Sequence, residues 1–296
     1  MSDLGGVRGT YEREDGTVGS YSMPAESRFS LTEFPGLVKE RTGCTAVDVC
    51  QVQLADDSGS ELDGFGLALE EAGVSLMALL LDVGNIASPE AERRAAVLRH
   101  VEGWLRRAAA LQAPFARIST GAVQGAANHD RQAQLDSLAH CADYAMSVGV
   151  CLQLENHGGD ALSPEWLIDT LEQVGLGRLG LILDIGNAEP MIAANLARLA
   201  GKPLDEASLD FGPVYATVAQ LAPYATSVHA KVHDLDEAGG FGPLDVPRAL
   251  RSIVAAGFRG PVTVEYEGPA VGDERWPVVR RSLETVNSIF GGGKES

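Results

Sequence analysis

The sequence predicts an α/β protein that folds as a (β/α)₈ TIM barrel in a single domain. Three observations support this class. Short apolar runs alternate with longer amphipathic segments, these runs number eight, and 296 residues with 45% hydrophobic content suffice for one large core. Strands separated by one helix each pair in parallel through right-handed crossovers. A doubly wound sheet usually carries a glycine-rich turn after its first strand, and "SYSMPAESRF" contains none.

The eight apolar runs are the predicted strands, and the first run has the weakest apolar pattern. They span residues 18–23, 46–54, 74–83, 115–120, 150–156, 179–187, 226–233 and 261–267. We expect a polar N-terminal tail over 1–16, the barrel over 17–290 and a flexible C-terminal tail over 291–296.

The segments between the runs carry helix signals. The motif "SPE" occurs at 88–90 and at 163–165, and each copy places serine at an N-cap and proline at the first helical position. The last segment has apolar residues spaced by three and four, which places them on one face of a predicted helix. These residues are Val279, Leu283, Val286 and Phe290. The crossover at 190–225 is longer than the others and predicts an extra loop or short helix.

Charge and composition exclude several classes of partner. Lysine and arginine total 23 against 41 acidic residues, a net charge of −18, so long-range electrostatics oppose nucleic acid and anionic membranes. The four cysteines show no CxxC spacing, the first residues lack a signal-peptide pattern, and no run reaches the roughly 18 apolar residues of a membrane span. We expect a soluble cytoplasmic protein with reduced thiols, and exposed barrel helices are compatible with a homo-oligomer.

Four consecutive predicted strands end in residues that bind metals. Glu155, Asp184, His229 and Glu265 stand near the carboxyl ends of strands five to eight. In a parallel barrel these ends open on one face, where barrel active sites lie. Two glutamates, one aspartate and one histidine suit a divalent ion, with Mn²⁺ expected and Mg²⁺, Co²⁺ or Zn²⁺ as alternatives. Three carboxylates this close would otherwise repel each other and take up protons.

The same residues carry a resemblance to a known family. "LENHGG", "LDIGN", "VHAKVHD" and "VEYEG" resemble the signature strands of the xylose-isomerase-like TIM barrels. Within that superfamily the chain is most similar to the sugar phosphate isomerases/epimerases, with ketose 3-epimerases as relatives. "RISTG" at 117–121 resembles the fourth strand of that group. The resemblance spans residues 45–290 in the expected order.

The resemblance implies that Glu155, Asp184, His229 and Glu265 hold the metal. In the ketose epimerases the two glutamates also move protons on opposite faces of the bound sugar, which gives Glu155 and Glu265 a second role. The α-proton beside a polarised carbonyl is removed, and the metal-bound enediolate is protonated again at the other face or the neighbouring carbon. The epimerases commonly have histidine three residues after the aspartate, whereas this chain has Asn187.

Five further polar residues are candidates for the site, and three of them have an alternative role. His157 can act as a base or bind a sugar hydroxyl, or it can cap the following glycine turn. Lys231 can neutralise an anionic oxygen of the substrate, or pair with an acid such as Glu267. Arg117 can bind an anionic substrate group or pair with an acid at the rim. Asn156 and Asn187 are candidate substrate contacts.

The function that we expect is isomerisation or epimerisation of a small sugar, keto-sugar or cyclitol. The same first step followed by loss of a β-leaving group gives a dehydratase or lyase acting on a keto-sugar, keto-inositol or glycoside. An accessory subunit that works only within a complex is the non-catalytic alternative. Phosphodiester hydrolysis is disfavoured, because apurinic endonucleases use several zinc ions with more histidines, and this chain has six.

Overall fold

A computed structural model describes residues 6–12, 18–24, 29–54, 59–82, 84–120, 130–199, 209–236, 238–268 and 272–291. Within them the β-strands are β1 Gly6–Glu12, β2 Val18–Pro24, β3 Ala46–Cys50, β4 Ser75–Leu81, β5 Phe115–Ile118, β6 Cys151–Glu155, β7 Leu179–Asp184, β8 Ser227–Val232, β9 Asp234–Leu235, β10 Phe241–Gly242 and β11 Val262–Tyr266. The α-helices are α1 Phe34–Thr42, α2 Gly59–Ala72, α3 Ala91–Ala110, α4 Arg131–Ser147, α5 Pro164–Val174, α6 Met191–Leu199, α7 Gly212–Leu221, α8 Val246–Ala255 and α9 Arg275–Gly291.

The chain divides into two compact units. Unit 1 comprises residues 1–154 and 170–179, and unit 2 comprises 155–169 and 180–296. In unit 1, β3 pairs with β4, β4 with β5 and β5 with β6, all in parallel. Apolar side chains of these strands and of α2, α3 and α4 form a buried core, which includes Phe65, Leu79, Leu105 and Leu138. Parallel strands joined by helices are what the alternating apolar runs predict.

Unit 2 contains the strands β7, β8 and β11, again paired in parallel. Every residue of β8 is buried, whereas every residue of β11 is only partly buried. Helix α8 buries Val246, Ala249, Leu250 and Ile253, a spacing of three and four that forms one apolar stripe. Its N-terminus is capped by Asp245, whose carboxylate accepts a hydrogen bond from Arg248 N at 2.9 Å. The short strands β9 and β10 form an antiparallel pair in the same unit.

The first predicted strand does not join a parallel sheet, and this expectation is wrong. Residues 18–24 pair antiparallel with residues 6–12, which fall within the predicted polar tail. A neighbouring segment of the chain can pair at a small loop-closure cost, whereas a parallel partner requires a long crossover. Of the predicted C-terminal tail, residues 292–296 lie outside the described part of the chain, and Gly291 ends α9. The division into one barrel domain with two tails stays a prediction.

Of the two serines predicted to be helix N-caps, only one caps a helix directly. Ser163 accepts a hydrogen bond from Trp166 N at 3.2 Å, as an N-cap does for the third helical residue, so its prediction is confirmed. Ser88 accepts from Glu90 N at 3.3 Å and lies before the helix, because α3 begins only at Ala91. The long crossover contains α6 and α7, while residues 200–208 lie outside the described part.

The cysteines differ sharply in exposure, which makes a first prediction. Cys151 is exposed, and Cys141 is buried. Burial, with a smaller contribution from Glu102, raises the pKa of the Cys141 thiol from 9.0 to about 12. We expect Ellman's reagent to modify Cys151 rapidly and Cys141 only as fast as the protein unfolds, because the neutral buried thiol is not a nucleophile. Cys151→Ser is expected to remove the fast phase.

The raised pKa also predicts a pH dependence of stability. The unfolded thiol ionises near 9 while the folded thiol stays neutral, so its stabilising contribution is complete below 9 and is lost as the pH rises towards 12. Urea denaturation at pH 7 and pH 10.5 measures this loss. The loss should be smaller in Cys141→Ala, and an equal loss in both proteins would contradict the assignment.

Candidate metal centre

Strand register in unit 2 brings the strand-end residues together. β7 and β8 pair with Asp184 opposite His229. β8 and β11 pair with Thr263 opposite His229 and Glu265 opposite Lys231. Because side chains alternate along a strand, His229 and Lys231 share one face of β8. Residues far apart in the chain therefore meet at the carboxyl ends of these three strands.

Four predicted metal ligands form what we call the ligand cluster. One donor atom from each lies within 4.8 Å of the other three; the residues are Glu155, Asp184, His229 and Glu265. His229 Nδ1 lies 3.3 Å from Glu155 Oε1 and 3.7 Å from Glu265 Oε2. Three carboxylates and one imidazole at such distances can hold a divalent ion.

Three of the four residues in the ligand cluster are deeply buried. Glu155, Asp184 and His229 are each no more than 5% exposed. Glu265 retains 35% of its side-chain exposure, because it stands on the partly buried strand β11. A small molecule would therefore reach the cluster from the side of Glu265.

Lys231 places a positive charge inside the ligand cluster. Its Nζ lies 3.0 Å from Asp184 Oδ2, 3.5 Å from Glu265 Oε2 and 3.4 Å from Glu267 Oε1. The same ammonium donates a hydrogen bond to Asn187 Oδ1 at 3.0 Å. The lysine is buried, so these contacts compensate for its lost hydration.

The buried charges perturb one another. Burial raises the pKa of Asp184 to about 7; the Lys231 ammonium opposes this rise, and the carboxylates of Glu265 and Glu155 add to it. Burial would lower the pKa of Lys231, but its carboxylate neighbours, Asp184 foremost, raise that pKa well above its ordinary value. One ammonium thus leaves the cluster with excess negative charge. A divalent cation fits this donor set and would relieve the repulsion.

Asn156 fastens the end of β7. Its Nδ2 donates to the backbone oxygens of Asp184 at 2.8 Å and Asn187 at 3.2 Å. Its Oδ1 accepts from Asp184 N at 2.7 Å. Both amide hydrogens are therefore engaged with backbone around Asp184, and the substrate contact of Asn156 stays a prediction.

Asn156→Ala is expected to lower the free energy of unfolding by about 2–4 kcal/mol, because buried backbone groups on β7 would lose their partners. Urea denaturation measures the change. Asn287→Ala, at an exposed position of α9, is the matched control and should change stability by less than about 0.5 kcal/mol. A loss no larger than that of the control would show that Asn156 does not hold β7.

Gly186 is a site residue that sequence reasoning missed. A Cβ at this position would lie 2.8 Å from Lys231 Cδ and 2.9 Å from its Cβ and Cγ, so only glycine leaves room for the lysine stem. The Gly186 N–H also donates to Asp184 Oδ1 at 2.8 Å. The available signal was a glycine two residues after a strand-end aspartate.

The remaining predicted residues lie in different surroundings. His157 is exposed, and its backbone N–H donates to the Glu155 carbonyl at 2.8 Å. Arg117 belongs to unit 1, where its buried guanidinium forms an ion pair with Asp82. The alternative of pairing with an acid therefore describes Arg117. Substrate contacts of His157 and Arg117 stay predictions.

Parallel strands joined by helices, with acids and a histidine at the strand ends, define the class of parallel α/β proteins with a candidate metal site. The sequence model of the family described as xylose isomerase-like TIM barrel matches residues 38–288, and the chain belongs to this family. The predicted fold class and the predicted family resemblance are thereby confirmed.

Solved structures resemble the chain over most of its length. D-psicose 3-epimerase from Clostridium cellulolyticum, in complex with D-tagatose, is 13% identical, with a TM-score of 0.64 over 88% of this chain and 93% of its own. The 3-keto-D-glucoside 4-epimerase from E. coli is 16% identical, with a TM-score of 0.61 over 87% and 94%. A xylose isomerase-like TIM barrel protein from Mycobacterium smegmatis, in complex with magnesium, is 19% identical, with a TM-score of 0.60 over 88% and 89%. Likeness at these identities shows the fold.

A curated protein is similar over a short stretch. The C-glycoside deglycosidase alpha subunit from Arthrobacter globiformis is 42% identical over 53 residues, which are 18% of this chain and 15% of that protein's length. In the described part of the chain, no helix has both the length and the apolar character needed to cross a membrane.

Proposed function

We propose that this protein is a divalent-metal-dependent isomerase or epimerase of a small sugar, keto-sugar or cyclitol. The observation that carries the proposal is the pair of glutamates at one imidazole nitrogen: Glu155 and Glu265 lie 3.3 and 3.7 Å from His229 Nδ1. Proton transfer next to a carbonyl needs one group to remove a proton and one to return it. The carboxylates of Glu155 and Glu265 can supply both groups.

The metal would be held by Glu155, Asp184, His229 and Glu265, with Mn²⁺ as the expected ion. A divalent ion bound there would polarise a carbonyl and its neighbouring hydroxyl and so lower the cost of removing the α-proton. The fit of the donor set and the excess negative charge around Asp184 support this assignment.

The two glutamates differ in their access to water. Glu155 is buried, so a proton that it removes from the substrate would be shielded from solvent. Glu265 is partly exposed and can exchange its proton with water before delivering it. Solvent hydrogen should therefore enter the product through Glu265.

Lys231 and the asparagines would support the reacting centre. The Lys231 charge would stabilise negative charge that develops on a substrate oxygen. Asn187 Nδ2 is buried and, among the described residues, has no hydrogen-bond partner, so it can donate to a substrate hydroxyl. In this proposal Asn156 positions Asp184, and His157 exchanges protons at the exposed side.

A lyase is the second candidate, and the similarity to the C-glycoside deglycosidase alpha subunit favours it. After the same proton removal next to a carbonyl, the electron pair forms a C=C bond and the bond to a β-substituent breaks. The leaving group departs and takes a proton. Activity that is found only in a complex with a partner protein would favour the alternative of an accessory subunit.

Deuterium uptake tests the proposal. The Mn²⁺-loaded protein is incubated in D₂O with D-psicose, D-tagatose or a 3-keto-D-glucoside, and the α-proton signal is followed by NMR. Loss of that signal with an unchanged molecular formula apart from deuterium supports isomerisation. Release of the aglycone supports the lyase, and no exchange with any uncharged keto-sugar would count against both.

A further inference from the structure

Lys231 is a buried lysine whose ammonium lies next to carboxylates of the ligand cluster. Its ammonium lies within 3.5 Å of Asp184 and Glu265, both predicted metal ligands, and also contacts Glu267. The Lys231 ammonium and a divalent metal would thus interact with the same two carboxylates, those of Asp184 and Glu265. The two positive charges would also repel each other.

The chain is built to admit this lysine. The stem of Lys231 passes so close to Gly186 that a single Cβ would meet three of its carbon atoms within 2.9 Å. Asn187 accepts the ammonium's hydrogen bond at 3.0 Å, which fixes the head group next to Asp184. The turn that follows β7 therefore holds the lysine at two points: Gly186 contacts its stem and Asn187 its ammonium.

We propose that Lys231 is a tethered counter-cation, a positioning residue that keeps Asp184 and Glu265 in place without metal and competes with the metal for their charge. This inference rests on the metal site of the proposed function. Without metal, the ammonium neutralises buried carboxylates that would otherwise repel. With metal, the same ammonium opposes the second cation, so the metal binds more weakly and exchanges more readily than the donor set alone would allow.

Lys231→Met tests the competition, because methionine keeps the length of the side chain and removes its charge. The proteins are stripped with a chelator, and Mn²⁺ binding is measured by titration calorimetry. We expect the variant to bind Mn²⁺ more tightly, on the order of tenfold, because the ammonium that opposes the metal is gone. Its metal-free form should melt about 5 °C or more below the wild type, and saturating Mn²⁺ should remove most of that difference.

Two further variants separate charge from packing. Lys231→Gln removes the charge while retaining a polar head, and it should bind Mn²⁺ as tightly as Lys231→Met. Lys39→Met removes the same charge from α1 in unit 1, where the ammonium donates to the Ala72 carbonyl. This control should leave Mn²⁺ affinity at the wild-type value.

The outcomes discriminate between the hypotheses. Weaker or unchanged Mn²⁺ binding in both neutral variants would overturn the counter-cation role while leaving the metal site intact. Folding of Lys231→Met only when Mn²⁺ is present supports the role, and failure to fold even with Mn²⁺ overturns it. If the wild type binds no divalent ion, the metal site itself is wrong, and this inference falls with it.

Discussion

Replacing Asp184 and His229 together by alanine is expected to abolish stoichiometric binding of a divalent metal. Asp184 is the most buried carboxylate of the ligand cluster, and His229 supplies its only nitrogen donor. Losing two of four ligands should weaken binding by at least a factor of about 100, the upper end of what a supporting residue alone costs. Inductively coupled plasma mass spectrometry of the purified chain measures one metal per wild-type chain and none in the variant.

The matched control replaces the same residue types outside the ligand cluster. His140 and Asp143 lie on α4, where they pair with Glu102 and Arg178 respectively. His140→Ala combined with Asp143→Ala should retain full metal content. Metal retained in the double variant of the ligand cluster would show that the ion binds elsewhere.

Glu155→Gln and Glu265→Gln are each expected to lower deuterium uptake into the substrate by about 10²–10⁴-fold, because the amide cannot accept or return a proton. Uptake is measured by NMR at saturating Mn²⁺, and metal content is measured in the same samples. An uptake loss with retained metal assigns the effect to proton transfer instead of lost coordination.

Glu284→Gln is the control for this pair, since Glu284 is largely exposed on α9 and pairs with Arg281. It should exchange at the wild-type rate. Full exchange in both Glu155→Gln and Glu265→Gln would exclude the two glutamates as the proton-transfer pair. Exchange lost only in Glu265→Gln would instead leave Glu155 as a ligand without a proton-transfer role.

Much of the fold was predictable because the relevant signals are local. The segments β4 and β7 are nearly continuous apolar runs, a composition that is unusual for a loop, and polar residues follow or end each run. Burial of one unbroken run indicates a strand covered on both faces. The run at 18–23 is the exception, because its antiparallel partner is the adjacent segment 6–12, whose polar composition predicts a tail.

The candidate site was predictable in its residues but not in their contacts. Alternation along β8 places His229 and Lys231 on one face, and strand-end position selects Asp184 and Glu265. Which carboxylate the lysine approaches depends on the register of β7, β8 and β11, segments separated by tens of residues. No local pattern encodes that register.

The sequence by itself determined the parallel α/β class, the family and the four strand-end residues that can bind a metal, because periodicity and residue type are properties of short segments. Only the tertiary structure decided that Asn156 holds β7, that Arg117 pairs with Asp82, and that Gly186 admits Lys231 to the ligand cluster. These contacts arise where separate segments meet. Their energies depend on distances of a few ångströms, which strand pairing and burial set.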